Sequence, residues 1–301
     1  MKQFIKKIFI FISIPLTLIL ISLLLVFYTS KKIDYKLNKN IKEIYIGDSH
    51  IQCAINDSLL TNAKNVSKGA ESFYFSYFKL KKLLEQNQQI ERVYLGASYH
   101  SFSNYYDQFI VGQFSSFIAP KYFYVLPLKG KIKLVRWNLN DLPKLVGTIF
   151  KESQSYLFED QAFNYGNYSN KFKKSKAIPS IMNKRLEYQY YTDKKLNDFS
   201  DINMEYFFKI ITLCKAQNVD LVLLNTPLHH YFKSKVPISY INKFDELVKS
   251  NKLSVIDFKL LTFTDSSFIP DGDHVSVKET FNIAKELEGL KSKNNQNIII
   301  N

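Results

Sequence analysis

The chain is poor in cysteine, short of acids relative to bases, and without the patterns by which proteins grip nucleic acid. It has two cysteines in 301 residues, Cys53 and Cys214, which leaves room for one bridge at most. Both lie in apolar-periodic segments, so two buried thiols are expected instead. Lys and Arg number 41 against 27 Asp and Glu, a net charge of +14. That balance favours anionic neighbours: a membrane surface, an acidic polysaccharide or nucleic acid. Nucleic acid is set aside, because there is no helix-turn-helix pattern, no zinc-finger spacing and no aromatic platform for single strands. The lysines are scattered among Asn, Ile, Phe and Tyr, as in AT-rich coding sequence, which weakens the charge as a binding signal.

What is present begins at the N-terminus. Lys2, Lys6 and Lys7 precede an uncharged, mostly apolar run from Ile8 to Tyr28. About 20 residues cross a hydrocarbon core of roughly 30 Å. Val26 to Ser30 is a poor small-x-small cleavage site, so the run is expected to be a retained, single-pass signal anchor rather than a cleaved signal peptide. Lys31, Lys32, Lys36 and Lys39 match the bases before the span, so the positive-inside rule gives no orientation. The N-terminal position of the run points to an extracytoplasmic domain. The expected organisation is an anchor over 1–30, a linker over 31–40, an α/β domain over 41–290 and a polar tail over 291–301.

Short apolar strands alternate with helices in that domain. Strands are expected at Glu43–Gly47, Lys64–Ser67, Arg92–Gly96, Asp220–Asn225 and Ser254–Asp257. Helices are expected at Ser72–Gln86, Met204–Gln217, Tyr240–Ser250 and Val277–Leu290. The alternation predicts a flavodoxin-like three-layer α/β/α fold with a mostly parallel sheet. It lapses in an aromatic-rich insertion, 99–198, whose rings either form its own core or stack on sugars or a membrane partner. Lys171–Lys176 reads as a solvated face, and Ile298–Ile300 as a possible edge contact.

Four strands end in small or polar groups, and in parallel sheets sites form at that edge. The first end, Gly47-Asp48-Ser49-His50, has three readings. A two-metal phosphoesterase needs Asp-x-His upstream and Gly-Asn-His downstream; neither occurs, so no metal and no cofactor is expected. Ser49 as N-cap of a short helix needs nothing more. Ser49 as nucleophile needs a base with an orienting acid. Asp271 and His274, three apart before the last helix, suit those roles, and Ser276 with Glu279 reads as a capping box behind them. Asp273 competes with Asp271, although side chains one apart rarely converge.

Gly47-Asp48-Ser49 after the first strand and Asp271-Gly272-Asp273-His274 before the last helix resemble the SGNH (GDSL-type) hydrolase superfamily. The resemblance covers the segments from Ile41 to Gly96 and from Asn203 to Leu290. It implies a Ser49–His274–Asp271 triad and an oxyanion hole from the Ser49 N–H and the N–H of Gly69 or Ala70. Ser98 stands where the family has an oxyanion Asn, and loss of one such donor typically costs about 10²–10³ in rate. Asp48, His50 and Asn225 are expected at the site periphery, as are His100, His229 and His230.

The membrane-anchored members that the chain resembles include polysaccharide O-acetylation proteins and the D-alanine transfer protein of teichoic acid synthesis. The resemblance therefore implies an esterase or acyltransferase acting on a cell-surface glycan or wall polymer, with a membrane acyl-donor protein as a partner. The rival reading is an anchored, catalytically weak binding or assembly protein of a polysaccharide pathway.

Overall fold

A computed structural model describes residues 2–158, 165–169, 176–258 and 261–293. Strands β1 (Glu43–Ile46), β2 (Ala63–Asn65), β3 (Arg92–Gly96), β4 (Asp220–Leu224) and β5 (Ser254–Ile256) form one sheet. Their order is β2-β1-β3-β4-β5, and every neighbouring pair is parallel. This is the flavodoxin-like order. Ile44, Tyr45, Ile46, Val93, Tyr94 and Leu95 are buried without alternation, as strands covered on both faces require.

The α-helices longer than four residues are α1 (Lys2–Lys32), α2 (Ser49–Ala54), α3 (Phe73–Gln86), α4 (Leu128–Trp137), α5 (Leu142–Phe158), α6 (Pro179–Tyr190), α7 (Asp201–Ala216), α8 (Ile238–Asn251) and α9 (Glu279–Lys293). Helix α3 packs on α7 through Phe73, Tyr74, Tyr206 and Phe207, whereas α2 packs with α9. These pairs form the helical layers of an α/β/α sandwich.

Local chemistry moves some boundaries. Helix α7 starts three residues before the expected Met204, because the Ser200 hydroxyl caps it by accepting from Asn203 N at 2.9 Å. Strand β2 stops at Asn65, whose side chain takes the Ser67 N–H at 2.9 Å and turns the chain out of the sheet. The expected capping box of the last helix is replaced by another arrangement. The Ser276 hydroxyl donates to the Ser266 carbonyl at 3.1 Å, and the Glu279 carboxylate accepts from Ser267 at 3.0 Å. Cys53 and Cys214 are buried thiols.

By contacts the chain divides into two compact units. One comprises 36–110 and 165–301 and contains the sheet. The other comprises 1–35 and 111–164, so part of the aromatic-rich segment groups with α1. Its aromatics form a core: Tyr122, Phe123, Tyr124 and Tyr156 are buried, with Tyr124 and Tyr156 edge to face. Helix α1 is long and apolar enough to cross a membrane. Residues 171–175 and 298–300 lie outside the described residues.

Candidate active site

The site is set by a close approach. Ile51 of α2 lies over the ends of β1 and β3. A Cβ at position 96 would stand 2.2 Å from Ile51 Cγ1, and one at position 47 would stand 2.9 Å from it. Only glycine at both positions lets α2 sit on the two strands, at the switch point where the strand order reverses. The cap of α2 is Asp48, not Ser49: its Oδ1 accepts the His50 N–H at 2.9 Å. Ser49 is thereby left in the first turn with its hydroxyl uncommitted to capping.

That hydroxyl meets His274. Ser49 Oγ is 2.8 Å from His274 Nε2. On the far side of the ring, Nδ1 is 2.8 Å from Asp271 Oδ2 and 3.1 Å from Asp273 Oδ1. Carboxylates on Nδ1 place the proton of the neutral ring there, which leaves Nε2 to accept from the serine. Both acids reach the ring because Gly272 adopts φ +71°, a left-handed turn between them. The expectation that Asp273 would diverge from its neighbour is therefore corrected.

Behind His274 lies a buried polar cluster. His50, expected at the periphery, bridges two carboxylates: Nδ1 is 3.0 Å from Asp48 Oδ2 and Nε2 is 3.0 Å from Asp273 Oδ2. Burial opposes its protonation, but the charges of Asp48 and Asp273 outweigh that and push its pKa up to about 10. His50 is an imidazolium. Asp273 Oδ2 also accepts from Arg185 Nε at 2.8 Å and Gln189 Nε2 at 2.7 Å. Burial would raise the Asp273 carboxyl, yet Arg185, His274 and His50 hold it well below its usual range.

Asp48 is likewise lowered: burial opposes this, but the His50 charge and hydrogen bonds from His100 and His50 prevail. His100 Nε2 is 3.0 Å from Asp48 Oδ2, and the Tyr106 hydroxyl donates to the same oxygen. Burial and the neighbouring His50 push His100 down to about 4, so it is neutral. His100 thus belongs to the buried centre rather than the periphery.

The other expected residues are less gathered. Ala70 adopts φ +59° in a tight turn closed by Glu71 N to the Lys68 carbonyl at 3.2 Å. Gly69 and Ala70 ride on this turn after β2. Buried Lys79 of α3 anchors both its ends, donating to the Val66 carbonyl and the Glu71 carboxylate. Ser98 is buried after β3, its hydroxyl 3.3 Å from that of Thr226. Asn225 donates to Asp257 at 2.9 Å and lines a cavity of about 130 Å³ with Tyr99, Thr226 and Phe258. His229 pairs with Asp265 at 2.8 Å and donates its backbone N–H to Gly272, bracing the turn that carries His274.

Sequence reasoning missed Tyr106, Arg185 and Gln189, all from the aromatic-rich segment. Arg185 and Gln189 stand four apart on α6, so one helix face presents both. That four-residue spacing on a half-buried helix was the available signal. Asp48, His50 and His100 offer ligand atoms within 4.8 Å of one another, as do His50, Asp273 and His274. Both nitrogens of His50 are committed to carboxylates, so a cation there must first displace a proton.

No family model matches the chain, and no curated protein matches it. Among solved structures, a candidate acylhydrolase of Bacteroides fragilis is similar to it at 11% identity. The match covers 88% of this chain and 92% of the other, with a TM-score of 0.37. Likeness at that level carries no weight for activity.

Proposed function

We propose that the chain is a membrane-anchored serine acyl-ester hydrolase or acyltransferase whose triad is Ser49, His274 and Asp271. The observation that carries this reading is the pair of 2.8 Å contacts on opposite nitrogens of His274. His274 Nε2 takes the Ser49 proton as Oγ attacks an ester carbonyl, and Asp271 holds the ring and stabilises the imidazolium. The tetrahedral oxyanion is met by the N–H groups of Ser49 and of Gly69 or Ala70. Collapse expels the alcohol, which takes the proton from His274. The acyl group then passes from Ser49 to water or to a sugar hydroxyl.

Ser98 joins the oxyanion hole only if Thr226 donates to it, since its single O–H cannot serve both partners. This divided hydroxyl is what favours the second reading, a weakly catalytic assembly protein. In either reading the substrate is a cell-surface glycan or wall polymer, an acyl-donor protein lies in the membrane, and α1 holds the domain on the extracytoplasmic side. Hydrolysis of p-nitrophenyl acetate by the full chain in detergent tests the enzyme. Loss of a triad serine has cost about 10⁶ in kcat in a well-studied case, so Ser49→Ala and His274→Ala should both abolish turnover. Equal rates in wild type and variants would refute the esterase reading.

A further inference from the structure

Helix α4, with sequence LKGKIKLVRW, carries two apolar faces. One is used within its own unit: Gly130 and Leu134 are buried. The other is bare. Leu128 and Ile132, stacked one turn apart, are 73% and 45% exposed, and Leu139 just past the helix end is 61% exposed. Lys129, Lys133 and Arg136 flank this stripe, and no Asp or Glu occurs from Leu128 to Asn140. Elsewhere in the same unit, exposed Phe117 lies under the Lys144 ammonium, 3.9 Å from its ring centroid.

The same compact unit contains α1. Lys131 Nζ is 3.3 Å from Ser30 Oγ in the last turn of α1. Helix α5 packs on α1, where Val26 and Thr29 are buried and Ser22 and Leu25 are partly covered. At 1.5 Å per residue, that covered side begins about 9 Å inside the apolar run ending at Tyr28. Helices packed there sit where hydrocarbon gives way to headgroups. A bare apolar stripe rimmed by cations, with Asp141 the first acid beyond Leu139, is what such a boundary selects.

We infer that α4 is an interfacial helix: Leu128, Ile132 and Leu139 enter the acyl boundary of the bilayer while Lys129, Lys133 and Arg136 hold anionic phospholipid headgroups. The inference rests on α1 as a retained span, and it concerns a surface remote in role from Ser49. A second protein on this stripe is the competing occupant. The cations favour a lipid surface, since each basic side chain near an anionic leaflet strengthens contact about fivefold.

The test uses the full chain in nanodiscs of phosphatidylcholine with or without phosphatidylglycerol. The chain has one tryptophan, Trp137. In the variant Trp137→Phe/Leu128→Trp, a single indole reports from the stripe. Brominated acyl chains should quench it, more strongly in the anionic discs. Adding Lys129→Gln, Lys133→Gln and Arg136→Gln should erase that lipid preference. Carbonate washing of membranes reports α1 separately. A chain that resists washing but shows no quenching overturns the interfacial helix and leaves the anchor standing. A chain released by washing overturns the anchor, and the inference with it.

Discussion

The imidazole of His50 lies against that of His274, ring centroids 4.4 Å apart and planes inclined by 16°. Asp273 serves both, Oδ2 for His50 and Oδ1 for His274. The proposed base therefore works beside a standing cation. Burial and His50 both disfavour protonation of His274, but Asp273 and Asp271 prevail and raise its pKa above 6.5. A base acts deprotonated, so kcat/KM should rise with pH through a midpoint above 6.5. His50→Gln removes the repulsion and should move that midpoint further up. A downward shift in the pH–rate profile would contradict this positioning role.

Asp271 and Asp273 should separate under mutation. Asp273 is buried and holds His50, Arg185 and Gln189 as well as His274. Asp273→Asn strands buried positive charge and should cost about 3–5 kcal/mol of stability, measured by denaturant unfolding. Asp271 is partly exposed and contacts the His274 ring and its backbone N–H. Asp271→Asn should leave the fold intact. Its kcat should fall by less than the roughly 10⁴ lost where a single acid orients the ring, because Asp273 still holds Nδ1.

Stability should depend on pH at both ends. The folded pKa of His50 is about 10 against 6.5 unfolded, so its contribution is complete below pH 6.5 and is lost as pH rises through 10. Asp48 and Asp273 are lowered in the fold, so their contribution is present above the ordinary carboxylate pKa and lost as pH falls below it. His100, lowered to about 4, adds to the acid limb, losing its contribution as pH falls from 6.5 to 4. Thermal melts from pH 3 to 11 should show a maximum near pH 6.5, falling on both sides. In His50→Gln the alkaline fall should shrink.

The loop that carries Gly69 and Ala70 depends on the buried Lys79–Glu71 pair. Lys79→Met takes the ammonium away from the buried Glu71 carboxylate and should destabilise by about 3–5 kcal/mol. Adding Glu71→Gln should recover most of that loss. Urea unfolding of the two variants checks this, and equal destabilisation in both would show that the pair is not what holds the loop.

Much of the α/β unit was legible, because its strands are short apolar runs with polar ends and its helices keep their period. Arg92–Gly96 was read to the residue, and the remaining edges moved where a side chain such as Ser200 or Asn65 took a backbone N–H. The partners of Ser49 were suggested by Asp271 and His274, near each other in sequence. The cluster behind them was not. His50, Asp48 and His100 join through the meeting of β1 and β3 ends, and Arg185 and Gln189 arrive from a segment whose aromatics mask any period. Long-range polar convergence leaves no local spacing to read. The bare face of α4 was overlooked for a different reason: lysine scattered along the whole chain hid one helix where cations and apolar residues are ordered.

The most direct measurement is the intact mass of the full chain after treatment with a fluorophosphonate, followed by peptide mapping. A Ser49 nucleophile with His274 as its base predicts one phosphonyl adduct, on Ser49, in the wild type, with labelling lost in His274→Ala. An unlabelled wild-type chain, or labelling unchanged in His274→Ala, would contradict the account.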